Sequence, residues 1–279
     1  MHVRRFTSEY EEIAWLYGEN AAAMRMREEA RDTPVIRWIA RDEGEVTGAV
    51  VAWLRPDNRM FLTFKVRDVD SYGPLVAAAA SELGRSLSTS VNPELVGPYA
   101  ALIDAGFETE TVGERFRVPF ADAMRVVRRA WVPSGYRIAS VVDLDEGRVF
   151  ELDNAIRNLV PGTDGWAGDP TWFHAELESE AFDKDAYLVA VEEATDRYGG
   201  LIRIWRNPAG PHLGLIGVLP DHRVQPLAAA LLKQGLAAAA DWGFDAVYAD
   251  TSPSNAHTYP RLERLGAERI GGFVQMTRA

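Results

Sequence analysis

Two stretches of the chain alternate apolar and polar residues in the same way. "WIARDEGEVTGAVVAW" (Trp38–Trp53) and "YLVAVEEATDRYGGLIRIW" (Tyr187–Trp205) each read as an apolar strand, a charged hairpin turn, and a return strand in which a glycine is followed five residues later by tryptophan. Gly48 and Gly200 stand 152 positions apart, as do Trp53 and Trp205. A second matched pair follows: "YAALIDAGFE" (Tyr99–Glu108) and "YPRLERLGAE" (Tyr259–Glu268), with Tyr99 and Tyr259 160 apart, as are Gly106 and Gly266. Each half then closes on a strand, "GERFRVPF" and "GGFVQMTR". Repeated features in one order at nearly constant offset predict two copies of an α/β unit of about 130 residues, a duplication rather than a solenoid. A Pro-Ser-Gly break near Ala130–Gly135 sets the expected boundary, giving domains 1–130 and 131–279.

In the second copy the pattern predicts a strand at Arg137–Val142 and a helix from Asp145 to Leu159. The loop "VPGTDGWAGDP" (Val160–Pro170) leads to a helix at Thr171–Ser179. A hairpin over Tyr187–Trp205 continues to Leu213–Val218, turned at "NPAGP". Then come a helix at Leu227–Trp242, a strand at Ala246–Ala249, a helix at Ala256–Leu265 and a strand at Gly272–Thr277. Strands with crossover helices make the fold α/β (α+β): two tandem units, each a mixed, mostly antiparallel twisted sheet flanked by helices.

Composition narrows the chemistry. There are no cysteines, which excludes disulfides, thiolate metal sites and cysteine nucleophiles. The net charge of −11, from 41 acidic and 30 basic residues, disfavours nucleic acid and anionic lipid and suits cationic ligands or plain solubility. The most apolar helices are short and carry Glu82 or Lys233, so no membrane span is expected, and a cytoplasmic protein is the default reading. His174, His212, His222 and His257 show no paired metal spacing, and no G-x-S-x-G appears; no metal is expected.

The stretch "GVLPDHRVQPLAAALLKQ" (Gly217–Gln234) is a strand, a turn with an arginine, and an alanine-rich helix. The free N–H groups at such a helix start, with the dipole behind them, make a place for an anion. Arg223 adds a cation capable of bidentate contact. Pro226 removes one donor where proline is tolerated, while Val224, Gln225, Leu227 and Ala228 keep theirs. On spacing alone, a plain helix start with a solvated arginine is the preferred reading of the segment.

"VLPDHRVQPLAAALL" (Val218–Leu232) resembles the acyl-CoA-binding motif of the GNAT N-acetyltransferase superfamily, V-x-P, then R/Q-x-x-G-x-G/A, then an apolar helix. Val218, Pro220, Arg223, Ala228, Leu231 and Leu232 match, and Pro226 replaces a usual glycine. Asn255, eleven residues before Gly266, matches a later motif of the family. The first copy keeps the hairpin and the Tyr99–Phe107 helix end, but "FKVRDVDSYGPLVAAAA" has no arginine at the matching place. The chain thus resembles a tandem member with one degenerate copy, expected to shape the substrate cleft or a homodimer interface.

The resemblance implies an acetyl-CoA-dependent N-acyltransferase acting directly on a small-molecule amine. The acyl arm would lie between strands His212–Val218 and Ala246–Ala249. Val218 N–H would polarise the thioester carbonyl, and Val218, Arg223, Val224, Gln225, Leu227, Ala228 and Asn255 would hold the cofactor. The family's usual acid tyrosine falls on Leu262 here. Tyr259, one turn earlier, is the candidate acid, with a packing role shared with Tyr99 as the alternative. His212 is the candidate base, in a strand otherwise without a carboxylate; an exposed strand-end histidine is the alternative. Gly214 and Gly217 in that strand imply a bulge or a close approach. Asp164 and Trp166 are candidate contacts for a cationic amine, while Asp169 is read as a helix cap. A non-catalytic acyl-CoA sensor, or an interaction protein on the same scaffold, stands as the rival reading.

Overall fold

Strand pairing follows one plan in each of two compact units. The structure is a computed structural model and describes residues 1–29, 35–55, 59–161, 163, 165–224 and 226–279. Its compact units are Met1–Val112 with Gly272–Ala279, and Gly113–Gly271.

In the first unit, β1 (His2–Arg5) leads through α1 (Tyr10–Ile13) and α2 (Ala21–Glu29) to β2 (Ile36–Asp42) and β3 (Glu45–Leu54). Then come β4 (Met60–Val66), α3 (Tyr72–Leu83), β5 (Leu87–Val91), α4 (Val96–Asp104) and the start of β6 (Glu108–Pro119). β1 to β4 pair antiparallel in sequence, β4 pairs parallel with β5, and β5 pairs antiparallel with β12 (Glu268–Arg278) from Val274↔Val91 to Arg278↔Leu87. Ile13, Met24, Ile39 and Ala49 pack one face of this sheet; Trp38, Val50, Leu62, Leu75 and Met276 pack the other.

The second unit repeats the order. It contains α5 (Phe120–Val127), β7 (Tyr136–Ser140), α6 (Glu146–Arg157), α7 (Pro170–Leu177), β8 (Tyr187–Glu192), β9 (Tyr198–Asn207) and β10 (Gly210–Val218). α8 (Leu227–Ala240), β11 (Ala246–Thr251) and α9 (Tyr259–Arg264) follow. β7 to β10 are antiparallel, β10 and β11 parallel, and β11 pairs antiparallel with β6. Period-two alternation divides the faces. Tyr187, Val189 and Val191 join Val149, Leu152 and Ile156 under α6, while Leu188 and Ala190 join Leu227, Leu231 and Ala239 under α8. Both helices over the first face are capped: Asp169 is the expected cap and accepts from Thr171 N–H at 2.8 Å, and Asp145 caps α6 by accepting from Arg148 N–H at 2.9 Å.

The element order follows the sequence expectation, but the division of the chain differs from a cut at 130. The strand closing the first copy, β6, completes the second sheet, and the strand closing the second copy, β12, completes the first. α5 stays with β6 because its apolar side, Phe120, Ala123 and Val127, is buried with α8 in one core. Lys233 of α8 also donates to the carbonyls of Arg128 and Ala130 at 3.0 and 3.1 Å. The exchanged strand is pinned by charge as well. Arg115 and Asp250 stand opposite in register and meet through two hydrogen bonds of 2.9 and 3.1 Å. The helix expected at Ala256–Leu265 is shorter, because the chain from Asn255 to Thr258 is taken up by a capping turn before Tyr259 opens α9.

Candidate active site

β10 and β11 register at His212↔Tyr248 and Leu213↔Ala249. Beyond that point each keeps its outer neighbour: β10 stays on β9 to Val218↔Gly200, and β11 stays on β6 to Thr251↔Glu114. A gap therefore opens between two parallel strands whose inner edges no longer pair. Leu219 N–H donates to Gly199 O at 2.8 Å. Bonded and non-bonded pairs alternate along an antiparallel ladder, so the next pair, Val218–Gly200, is non-bonded, and Val218 N–H points away from β9 toward the gap.

Three glycines make this strand possible. The β9–β10 register slips between Leu213 and Leu215, which places the expected bulge at Gly214. A Cβ on Gly217 would lie 2.4 Å from Ile156 Cγ2, and one on Gly200 would lie 2.8 Å from Gly217 O. Helix α6 and strand β9 therefore come closer to β10 than any side chain allows.

The turn after Val218 is more closed than its sequence implies. A short 3-10 turn, Pro220–His222, takes up the first amides. Val224 N–H donates to His222 O at 2.7 Å and Leu227 N–H to Val224 O at 2.9 Å, so neither stands free in this conformation. Ala230 N–H bonds Pro226 O, and among the described residues the amides of Ala228 and Ala229, at the start of α8, have no acceptor. Arg223 is exposed; its N–H donates to Pro220 O at 3.3 Å, and its side chain has no hydrogen bond or ion pair among the described residues. Gln225 lies outside the described residues. His222 anchors the turn from below. It is 2% exposed, its Nδ1 lies 3.0 Å from the Tyr136 hydroxyl, and its ring fills the space where Gly199 lacks a side chain.

The residues assigned to proton work occupy distinct surroundings. His212 is half-buried at the start of β10. Burial holds its imidazole below the ordinary value; Arg115 and Arg203 deepen the depression, and Asp250 opposes it. Tyr259 opens α9 and donates to Glu114 Oε2 at 2.6 Å, with its ring edge-on to Phe116. That hydrogen bond, with desolvation and the Glu114 charge, raises the phenol above its ordinary value. Leu262 is buried in the apolar core. Asn255 Oδ1 accepts from Thr258 N–H at 3.1 Å, so its oxygen is committed to the turn before α9.

One group of charges was not singled out by sequence reasoning. On the α6/α7 face, Asp153 (5% exposed) accepts from Arg203 Nη1 at 2.8 Å and from the Tyr187 hydroxyl at 3.0 Å. Glu176 lies 3.6 Å from Arg203, and Arg157 Nε lies 3.6 Å from Asp153. The signal was present: Val149, Leu152, Asp153 and Ile156 share one helical stripe, and Asp153 is its one carboxylate. Trp166 is held against α6 by Asn158, which exchanges hydrogen bonds of 3.0 and 2.7 Å with its N–H and carbonyl. Its indole face carries the Arg157 guanidinium at 4.5 Å. The ring expected to receive a cationic amine thus already has a cation of the protein on it. Asp164 lies outside the described residues.

Residues 154–267 match the model of the Acetyltransferase (GNAT) family. This stretch is similar to a GNAT acetyltransferase domain. The whole chain has the fold of a tandem GNAT protein. It is similar to a GCN5-related N-acetyltransferase from Sphaerobacter thermophilus, at 15% identity, TM-score 0.72, 99% of this chain and 95% of that one. It is likewise similar to a tandem GNAT protein from the clavulanic acid biosynthesis pathway, at 18% identity, TM-score 0.71, with 99% and 97% covered. A GCN5-related N-acetyltransferase from Kribbella flavida matches at 18% identity and TM-score 0.55, covering 92% and 93%. No curated protein matches the chain.

In the second unit, the gap between β10 and β11, the Val218 amide and the start of α8 belong to one strand–turn–helix passage. The corresponding passage of the first unit is different. There Asp68 caps its own turn, accepting from Asp70 N–H at 3.1 Å, so two carboxylates stand where an anion would have to sit. Among the described residues, no group of His, Asp and Glu is arranged to hold a metal, and no helix is long and apolar enough to cross a membrane.

Proposed function

We propose that the second unit is an acyl-CoA-dependent N-acyltransferase that uses acetyl-CoA and acylates a small-molecule amine. The observation that carries this reading is the parting of β10 from β11 with Val218 N–H turned into the gap. Acetyl-CoA supplies an activated acyl group; the chain supplies its position and the proton path. A fixed backbone donor at Val218 would meet the acyl carbonyl oxygen, where charge develops. Ala228 and Ala229 amides, with Arg223, would face the phosphates; Val224, Gln225 and Leu227 belong to the same turn, whose bonds to Val224 and Leu227 would have to open for those amides to take part. Asn255 would shape the far wall by setting the start of α9.

His212, uncharged at neutral pH because burial disfavours its cation, would take the proton of the attacking amine. Tyr259, whose phenol stays protonated to higher pH than usual, would supply a proton to the leaving thiolate. Free-thiol release from acetyl-CoA over a panel of amines tests the reading; calorimetry with acetyl-CoA alone shows whether the site is a CoA site. No binding of acetyl-CoA would overturn it.

A second reading, a non-catalytic acyl-CoA binder, is favoured by one observation: Leu262 is buried, and the Tyr259 proton is already committed to Glu114. Tight acetyl-CoA binding with no thiol release across the panel would select it.

A further inference from the structure

The polar group on the α6/α7 face has more donors than acceptors. Asp153 serves two donors with one oxygen, Arg203 Nη1 and the Tyr187 hydroxyl. Its other oxygen faces Arg157 Nε at 3.6 Å, beyond hydrogen-bond reach. Glu176 approaches Arg203 no closer than 3.6 Å. Consequently Arg203, 3% exposed, keeps a buried Nε with no partner among the described residues, and so does Arg157. Buried donors in folded proteins are nearly always matched, so two orphans side by side mark a missing acceptor.

Arg157 is placed to receive it. Its flat face lies on Trp166, and Trp166 is strapped to α6 by Asn158, with Asn154 bonding Gly168 N–H at 2.9 Å. Stacking fixes the plane of the guanidinium and leaves its edge donors as the open side, the geometry that takes a carboxylate through two parallel hydrogen bonds. The Arg157 side chain makes no hydrogen bond among the described residues and keeps 21% of its surface exposed. The same sheet face continues to the bulge. The Cβ position of Gly214 lies 2.8 Å from Trp205 Nε1 and 3.4 Å from Arg203 Nε, and His212 is near enough to Arg203 for the guanidinium to depress its protonation. A purely cationic amine would meet two guanidiniums here. An acceptor carrying its own negative charge would not.

We propose that Arg157, stacked on Trp166 and backed by Arg203, binds the carboxylate of an amine acceptor of amino-acid type. The proposal deepens the acyltransferase reading and rests on it for the role of the bound molecule. Calorimetry on the full chain, with and without saturating acetyl-CoA, would compare proteinogenic L-amino acids and dipeptides with their C-terminal amides. At least one acid should bind tenfold or more tightly than its amide. Its binding should shift the Arg157 Nε–H resonance in a nitrogen-15 spectrum. Arg157→Gln should erase the acid-over-amide preference, Arg157→Lys should keep part of it, and both should bind acetyl-CoA like the unaltered chain.

If no acid binds better than its amide in either state, or if the preference survives in Arg157→Gln, the carboxylate site is wrong. The comparison on the unaltered chain decides this even where a variant fails to fold. Acids that bind through Arg157 without any thiol release would leave the site standing and remove the acyltransferase reading. Thiol release with amides as readily as with acids would do the opposite.

Discussion

Tyr259 donates its hydroxyl proton to Glu114 at 2.6 Å, across 145 positions of sequence. Glu114 belongs to β6 and also meets Arg269 at 3.0 Å, so the proton of the candidate acid is governed by the exchanged strand. Glu114→Gln removes the charge that favours the neutral phenol. The Tyr259 phenol should then ionise at lower pH, seen as an earlier tyrosinate absorbance step that Tyr259→Phe abolishes. An unmoved step would show that Glu114 does not set this proton. If Tyr259 is the acid, the alkaline limb of the rate should move down with it.

His212 supplies a pH prediction of opposite kind. Its folded protonation lies below 6.5, with burial as the main cause. The base form is then favoured at neutral pH, and kcat/KM should fall only as pH drops below the ordinary histidine range. Asp250 holds part of the proton affinity, so Asp250→Asn should push the acidic limb lower still. The same sign applies to stability: the buried neutral ring favours the fold above about 6.5, and that contribution is lost as pH falls through the depressed value. An acidic limb at the ordinary value, unchanged by His212→Gln, would exclude His212 as the base.

Arg223 stands exposed beside the start of α8. Replacing it with alanine should weaken acetyl-CoA by about 1.5 kcal/mol, the lower end for a charged hydrogen bond because the site is open to solvent. That is roughly a tenfold rise in Kd, shrinking as salt is added. Calorimetry at low and high salt checks it; equal affinity at low salt removes Arg223 from the phosphate site.

Asp153 is the shared counter-charge of a buried group. Asp153→Asn should cost about 3–5 kcal/mol, because Arg203 is left buried without a charge partner. Adding Arg203→Met should restore much of that loss, since the uncompensated cation is gone. Urea denaturation followed by tryptophan fluorescence measures both. A loss below about 1 kcal/mol would mean that Arg203 finds another anion or escapes to water.

Most of the fold was legible because it depends on local periodicity. Alternation over Tyr187–Trp205 gave the β8–β9 hairpin, and Gly214 gave the bulge. The strand exchange was not legible, because "GERFRVPF" pairs equally well with either sheet by its own pattern; the choice is made by α5 packing on α8 and by Arg115 meeting Asp250. In the site, Val218, Arg223 and Ala228 follow from the strand–turn–helix passage. The internal bonds of Val224 and Leu227 depend on the path through Pro220–His222 and leave no mark in composition. Arg157 lay outside the sequence reading for a different reason: a lone arginine at a helix end reads as solvated until its orphaned donor and its indole partner are seen together.

The route of β6 and β12 has a consequence for synthesis. The first sheet takes its closing strand from residues made after the whole of Gly113–Gly271. On the ribosome, β5 must therefore wait with an unpaired edge while the second unit is translated. Nor can the chain be divided at a single point into two working halves. Any one cut strands a segment on the wrong side, and a fragment beginning near residue 131 would lack the strand that lines β11. The two repeats are thus separable in pattern but not by a single cut of the chain.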